Sequence, residues 1–324
     1  MSKLLTSINA RKNRISIELV PPGRGRDPDG TIACVEAVAR FEPAFVSVTD
    51  HPAGRAWEER MGKAVALPIR AKPGTLGLCV AIREKTGALV VPHLVCIGNG
   101  IFKAEDQLID LCYAGFNDIF IIRGDERFIP FAGKQENEDK KELKHALDLV
   151  ELAAAMNRGE YLSDGSKGAM TKFSVGVAAY PEKHPQAANL ESDLAALANK
   201  EKGGASWAAT QMLFDAAIYE SFVNKSGKAG IGLAIIPGVK PVLNARSLSR
   251  LPGTFFVNIP QKLVNALENA RSPAEERLAG IKHAASLVQK LYDAGAPCVH
   301  FFTMGRAKDT VDVLEAVFGP KGAA

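Results

Sequence analysis

The stretch Asn117-Asp118-Ile119-Phe120-Ile121-Ile122-Arg123-Gly124-Asp125 decides the fold class. Its apolar centre reads as a short buried strand. It ends abruptly in a cation, a glycine and a carboxylate, an arrangement suited to showing charge to a ligand. Seven further runs have the same character: Ile15–Val20, Phe45–Thr49, Leu89–Cys96, Phe173–Ala179, Ala208–Phe214, Leu233–Pro237 and Cys298–Met304. Each stops in polar or turn residues. Together they predict one site at the mouth of a barrel.

Longer amphipathic patterns separate these runs, at Gly30–Phe41, Leu76–Thr86, Lys103–Ala114, Lys141–Met156, Leu190–Lys202, Ala216–Lys228 and Pro273–Ala294. Strands alternating with helices indicate parallel βαβ units. Eight such strands in 324 residues predict a (β/α)8 TIM-type barrel forming a single catalytic domain over residues 1–324. A doubly wound open sheet would need a dinucleotide fingerprint after its first strand. Pro21-Pro22-Gly23-Arg24-Gly25-Arg26 lacks that glycine spacing. Two polar stretches, 131–141 and 159–172, read as surface insertions.

Composition excludes several classes. Hydrophobic residues at 47% and charged residues at 23% are globular values. A net charge of +4 spread along the chain does not imply nucleic acid. No apolar stretch approaches the roughly 20 residues of a membrane helix. Met1 to Arg14 is polar and basic without a signal core, and five cysteines without a CxxC pair suit reduced thiols, so a cytoplasmic protein is expected.

Catalytic groups of a barrel gather at the C-terminal strand ends. Those ends supply Glu18; Thr49, Asp50 and His51; His93; Arg123, Gly124 and Asp125; Tyr180, Glu182 and His184; Thr210, Gln211, Phe214 and Asp215; Pro237 and Gly238; and Thr303 and Arg306. Glu18 lies inside an apolar run. Burial raises a carboxyl pKa, which suits a proton donor, and pairing with a buried arginine is the alternative. Arg123 and Asp125 are either ligand groups or a strand-end salt bridge, and the intervening glycine points to a close approach to the backbone. Gln211 and Phe214 offer an amide and a ring to a planar heterocycle, or a capping amide and a core aromatic. His93 and Cys96 are metal-ligand types without a motif spacing, so no metal is expected.

Taken in order, these runs resemble the methylenetetrahydrofolate reductase family in its bacterial single-domain form. The matching segments are Ser16-Ile17-Glu18-Leu19-Val20-Pro21-Pro22, Val46-Ser47-Val48-Thr49, Pro92-His93-Leu94, Arg123-Gly124-Asp125, Ala179-Tyr180-Pro181-Glu182 with His184-Pro185, Thr210-Gln211-Met212-Leu213-Phe214-Asp215, Ile236-Pro237-Gly238, and His300-Phe301-Phe302-Thr303 with Arg306. The resemblance implies reduction of 5,10-methylenetetrahydrofolate to 5-methyltetrahydrofolate by NADH or NADPH, the hydride relayed through FAD. It implies Glu18 as general acid, and Asp125 near the flavin and pterin. Gln211, Phe214 and Arg306 would face the folate. Thr49, His93, Arg123, Gly124, Asp125, Tyr180, His184, Asp193 and Lys200 would line the FAD site.

The chain departs from the family pattern after Thr49, with Asp50-His51-Pro52-Ala53-Gly54-Arg55 in place of a tyrosine and a glycine-rich turn. It also carries Ala196 and Asn199 where an asparagine and an arginine would help hold the FAD diphosphate. Direct hydride transfer without flavin is therefore the alternative. A methyltetrahydrofolate-binding methyltransferase, or a partner subunit of a one-carbon complex, shares the fold. Homo-oligomerisation is left open.

Overall fold

The computed structural model describes residues 2–52, 54–60, 62–124, 143–162 and 167–320. In chain order its strands are β1 (Arg14–Leu19), β2 (Val46–Val48), β3 (Gly54–Arg60), β4 (Lys63–Ile69), β5 (Val90–Val95), β6 (Asp118–Ile122), β7 (Ser174–Ala179), β8 (Ala205–Met212), β9 (Ala234–Val239) and β10 (Cys298–Phe302). The helices are α1 (Lys3–Asn9), α2 (Asp29–Ala39), α3 (Thr75–Thr86), α4 (Ile101–Tyr113), α5 (Ala146–Asn157), α6 (Leu190–Gly203), α7 (Ala216–Lys228), α8 (Ser247–Phe255), α9 (Gln261–Glu268), α10 (Pro273–Asp293) and α11 (Ala307–Phe318). Eight strands close a barrel in the order β1-β10-β9-β8-β7-β6-β5-β2, and every neighbouring pair is parallel. This is the (β/α)8 architecture, and all eight runs read from the sequence are its strands.

The two-residue period of a strand sorts each run between two cores. On β6, Ile119 and Ile121 face outward and pack in the shell beneath the helices, with Val35, Leu108, Leu149 and Leu287. Phe120 faces the barrel axis and packs with Phe45, Val91, Trp207, Ala209, Ile236 and Cys298. Trp207 occupies the centre, with ring centroids 5.8 Å from Phe45 and 5.2 Å from Phe120. Gly176 makes this possible: a Cβ there would lie 2.2 Å from the indole. The β7–β8 register shifts between Val175 and Gly176, next to this close contact, and β8 begins at Ala205 rather than Ala208.

The polar N-terminal segment contains a helix. Leu4 and Ile8 of α1, one turn apart, are fully buried in the axial core. Ser2 Oγ donates to Asp118 Oδ1 at 2.5 Å and the Leu4 amide to Asp118 Oδ2 at 3.3 Å, tying α1 to the start of β6. The barrel is thus stoppered at the end opposite its C-terminal mouth.

A second element that the sequence pattern did not disclose is the antiparallel hairpin β3–β4, which pairs with no barrel strand. Its base is pinned by Asp50, whose Oδ1 is bound by Arg70 and accepts from Thr75 Oγ1 and the His51 amide. Asp50 Oδ2 accepts from the Val95 amide. The expected insertion at 131–141 lies outside the described residues. The one at 159–172 is described except for 163–166. There Glu160 bridges to Lys167, and Tyr161 Oη donates to the Ala169 carbonyl at 2.7 Å.

Candidate active site

Glu18 stands near the end of β1, in register with Ser47 of β2 and Phe302 of β10. Ser16, two residues earlier, hydrogen-bonds its register partner His300 at 2.8 Å, and His300 packs against the axial Phe45, so Glu18 faces the axis one layer nearer the mouth. Its carboxyl makes no hydrogen bond or ion pair among the described residues. Desolvation alone pushes its pKa up to about 8. Among the described residues no arginine pairs with it. The residue is half-buried at the mouth end of β1, and this desolvation favours the protonated acid.

The floor beneath it is built from neutral imidazoles. His93 stacks on Phe120 with centroids 4.7 Å apart, and its buried Nδ1 has no partner among the described residues. His300 lies against Phe45 at 5.5 Å and is bracketed by Ser16 and Ser47. Burial lowers both pKa values to about 3. Cys96 does not join His93: its thiol donates to the His145 carbonyl at 3.2 Å, and burial raises its pKa to about 12. Among the described residues no three ligating side chains converge as a metal site.

Arg123 links two loops of the mouth, donating from Nε to the Lys144 carbonyl at 3.1 Å and from Nη1 to Gln186 Oε1 at 2.5 Å. Gly124 has φ +90°, and a Cβ would lie 2.5 Å from Val95 Cγ1. The close approach signalled by this glycine is therefore made by β5. Asp125 lies outside the described residues.

Across the mouth, Tyr180 meets His184 edge to face at 4.6 Å. The His184 amide donates to Asp193 Oδ2 at 2.8 Å. Lys200, seven residues after Asp193 and so on the same face of α6, donates from Nζ to the Ala178 carbonyl at 3.2 Å. Burial lowers its pKa while the charge of Asp193 opposes that shift. Tyr180, Asp193 and Lys200 line a narrow crevice with Ala178, Ala179, Leu197 and Phe222. Ala196 and Asn199, on the same helix, are exposed.

Thr49 Oγ1 meets His51 Nε2 at 3.0 Å. Gln211 folds its Oε1 back onto the Met212 amide at 2.9 Å and leaves Nε2 unbonded among the described residues. Arg306 is exposed at the N-cap of α11. Phe214 requires a correction. Its ring is 1% exposed and packs with Met212, Val242, Leu251 and Val257, so it offers no face to a ligand. β8 ends at Met212 and Asp215 caps α7 through the Ala217 amide, which carries Phe214 away from the axis into a satellite core under α8 and α9. The strand ends read from the sequence did not include Lys240, half-buried just past β9. Its signal was a lysine directly after the buried strand and turn Ile235-Ile236-Pro237-Gly238.

Known proteins share the sequence pattern and the fold. The family model described as methylenetetrahydrofolate reductase matches residues 3–317. A 5,10-methylenetetrahydrofolate reductase of Pectobacterium carotovorum subsp. carotovorum is 28% identical over 310 residues, covering 95% of this chain and 91% of that protein. The reductase of Escherichia coli K12 is 28% identical over 309 residues, with the same coverage of 95% and 91%. A solved Clostridium thermocellum protein, described as binding two copies of 5-methyl-5,6,7,8-tetrahydrofolic acid, superposes with a TM-score of 0.60 at 12% identity over 97% of each chain, a likeness of fold. With a match that runs from the first helix of the stopper to the last helix of the shell, the chain belongs to the methylenetetrahydrofolate reductase family.

Proposed function

We propose that this protein reduces 5,10-methylenetetrahydrofolate to 5-methyltetrahydrofolate with a hydride from NADH or NADPH, and that Glu18 is its general acid. The carrying observation is the Glu18 carboxyl at the barrel mouth, without a hydrogen bond or ion pair among the described residues, where desolvation favours the protonated acid. It donates its proton to the ring nitrogen that leaves as the imidazolidine opens. The C–N electron pair stays on that nitrogen, and the methylene carbon becomes an iminium that accepts hydride. The Gln211 amide would orient the pterin. The neutral His93 and His300 keep positive charge off the floor beneath the cationic intermediate.

The residues also fit FAD. Lys200 is a deeply placed ammonium whose hydrogen bond goes to a carbonyl, which suits an incoming diphosphate. The orphaned His93 Nδ1 would take a further polar contact. Thr49, Arg123, Tyr180, His184 and Asp193 would complete the set. FAD, when bound, supplies a hydride carrier between nicotinamide and folate. Asp125 would act through its charge on that carrier. A second reading, direct transfer from nicotinamide to folate, is favoured by Ala196 and Asn199, which give the diphosphate neither amide nor guanidinium. Turnover by flavin-stripped protein separates the two. Activity restored by added FAD supports the first, and full activity indifferent to FAD supports the second. Failure to convert the folate in either state would sink the proposal.

A further inference from the structure

Glu182 follows β7 in the turn between Tyr180 and His184, and its carboxylate reaches Asn258 in the connection between α8 and α9. Oε1 accepts from the Asn258 side-chain amide at 2.6 Å, and both oxygens accept from the Asn258 backbone amide at 3.2 Å. One side chain thus grips the backbone and the side chain of the same residue. Left-handed residues flank the grip on both sides, Lys183 with φ +86° and Phe256 with φ +56°. Such backbone is costly away from glycine and persists only where its surroundings hold it. Lys183 donates from Nζ to the Ala187 carbonyl at 2.8 Å, and the Phe256 amide donates to the Pro252 carbonyl at 2.8 Å.

The gripped segment is a strap across the mouth. β8 lies between β7 and β9 in the barrel, and α8 and α9 belong to the connection that follows β9. A bond from the end of β7 to that connection therefore spans the end of β8. The packing agrees. Leu251, Val257, Leu263 and Leu267 of the strap share one buried cluster with Met212 and Phe214 from the end of β8. Phe302, the register partner of Glu18, packs against the same cluster. Met212 also supplies the amide that holds Gln211 Oε1 at 2.9 Å. Covalent, packing and hydrogen-bond links thus run from Glu182 through Asn258, Val257 and the cluster to Met212 and Gln211.

We infer that Glu182 is a positioning residue: by fastening the strap over the end of β8 it fixes the Met212 amide, and through it the Gln211 side chain. The inference rests on the folate reading above, in which the Gln211 amide meets the pterin. A loosened strap leaves the Glu18 proton in place and lets Gln211 turn. Ground state and transition state then lose the same contact, which raises KM and spares kcat.

The test measures equilibrium binding of 5-methyltetrahydrofolate and steady-state reduction of 5,10-methylenetetrahydrofolate, with thermal midpoints as the check on folding. Glu182→Ala removes the acceptor, and Asn258→Asp sets two carboxylates face to face. Each should weaken folate binding and raise KM by about five- to thirtyfold, while kcat moves by less than about twofold. In Glu182→Gln/Asn258→Asp the glutamine amide donates to the new carboxylate, and affinity should return to within about threefold of wild type. Single variants that bind folate as wild type does would overturn the positioning role. So would a loss confined to kcat, or an affinity that the double variant fails to restore. All three results leave the functional reading standing, whereas a wild-type protein that binds no folate would overturn both.

Discussion

In the proposed reaction Glu18 is the residue on which the chemistry turns. Because its pKa is raised to about 8, the proton-donating form dominates below that value and is lost as pH rises through it. Glu18→Gln should retain any flavin and its reduction by NAD(P)H, while folate turnover falls by roughly two or more orders of magnitude. Stopped-flow measurement of the two half-reactions checks this, and near-normal folate turnover refutes it. The same carboxyl has a stability signature. Between its ordinary pKa of 4.5 and about 8, the unfolded chain ionises there and the folded chain does not. Stability is therefore lost progressively across that window. The thermal midpoint of Glu18→Gln should gain on wild type from about pH 4.5 to about pH 8 and hold its lead above. Asn199→Arg tests the opposite feature of the site. A guanidinium reaching the diphosphate is worth roughly 1.5–3 kcal/mol, so FAD affinity should rise by about one to two decades in a titration.

At the scale of the element, β7 and β8 depend on one missing methyl. Gly176→Ala would drive a Cβ into Trp207 and should cost about 1–3 kcal/mol in denaturant unfolding. Combining it with Trp207→Phe should recover part of that loss, because the ring atoms nearest the new methyl are gone. If the single variant is as stable as wild type, the tight fit at Gly176 has no energetic weight. The hairpin β3–β4 depends on its base in a different way. Arg70→Met leaves the Asp50 carboxylate buried, with its hydrogen bonds but without its cation. Breaking a buried pair from one side costs about 3–5 kcal/mol, reduced here by the partial exposure of Arg70. Limited proteolysis should then cut first between residues 52 and 71.

For the whole molecule, the stopper and the mouth lie at opposite ends of one barrel, which separates stability from activity. Leu4→Ala opens a hole in the axial core and should destabilise by about 2–5 kcal/mol. The Michaelis constant for folate should stay unchanged below the lowered melting temperature. A large change in that constant would show that the axial core transmits strain from the stopper to the mouth.

The chain alone determined the eight strands, because each buried run carries its own period and stops in its own turn residues. It also determined the sector of the mouth that holds Glu18, since a carboxyl set in an apolar run must be buried, and burial keeps it either protonated or paired. Helix α1 was hidden because Leu4 and Ile8 make too sparse an apolar stripe in a polar segment. The hairpin was hidden because Gly62, with its φ of +71°, sits in a turn that lacks a strong type I′ sequence. Tertiary structure decided the rest. Phe214 went to a satellite core because the strand ended two residues before it. Gly124 proved to make room for Val95 and Ile97 of a neighbouring segment. Local pattern specifies which face of an element a side chain occupies, whereas only closure of the barrel specifies what that face meets.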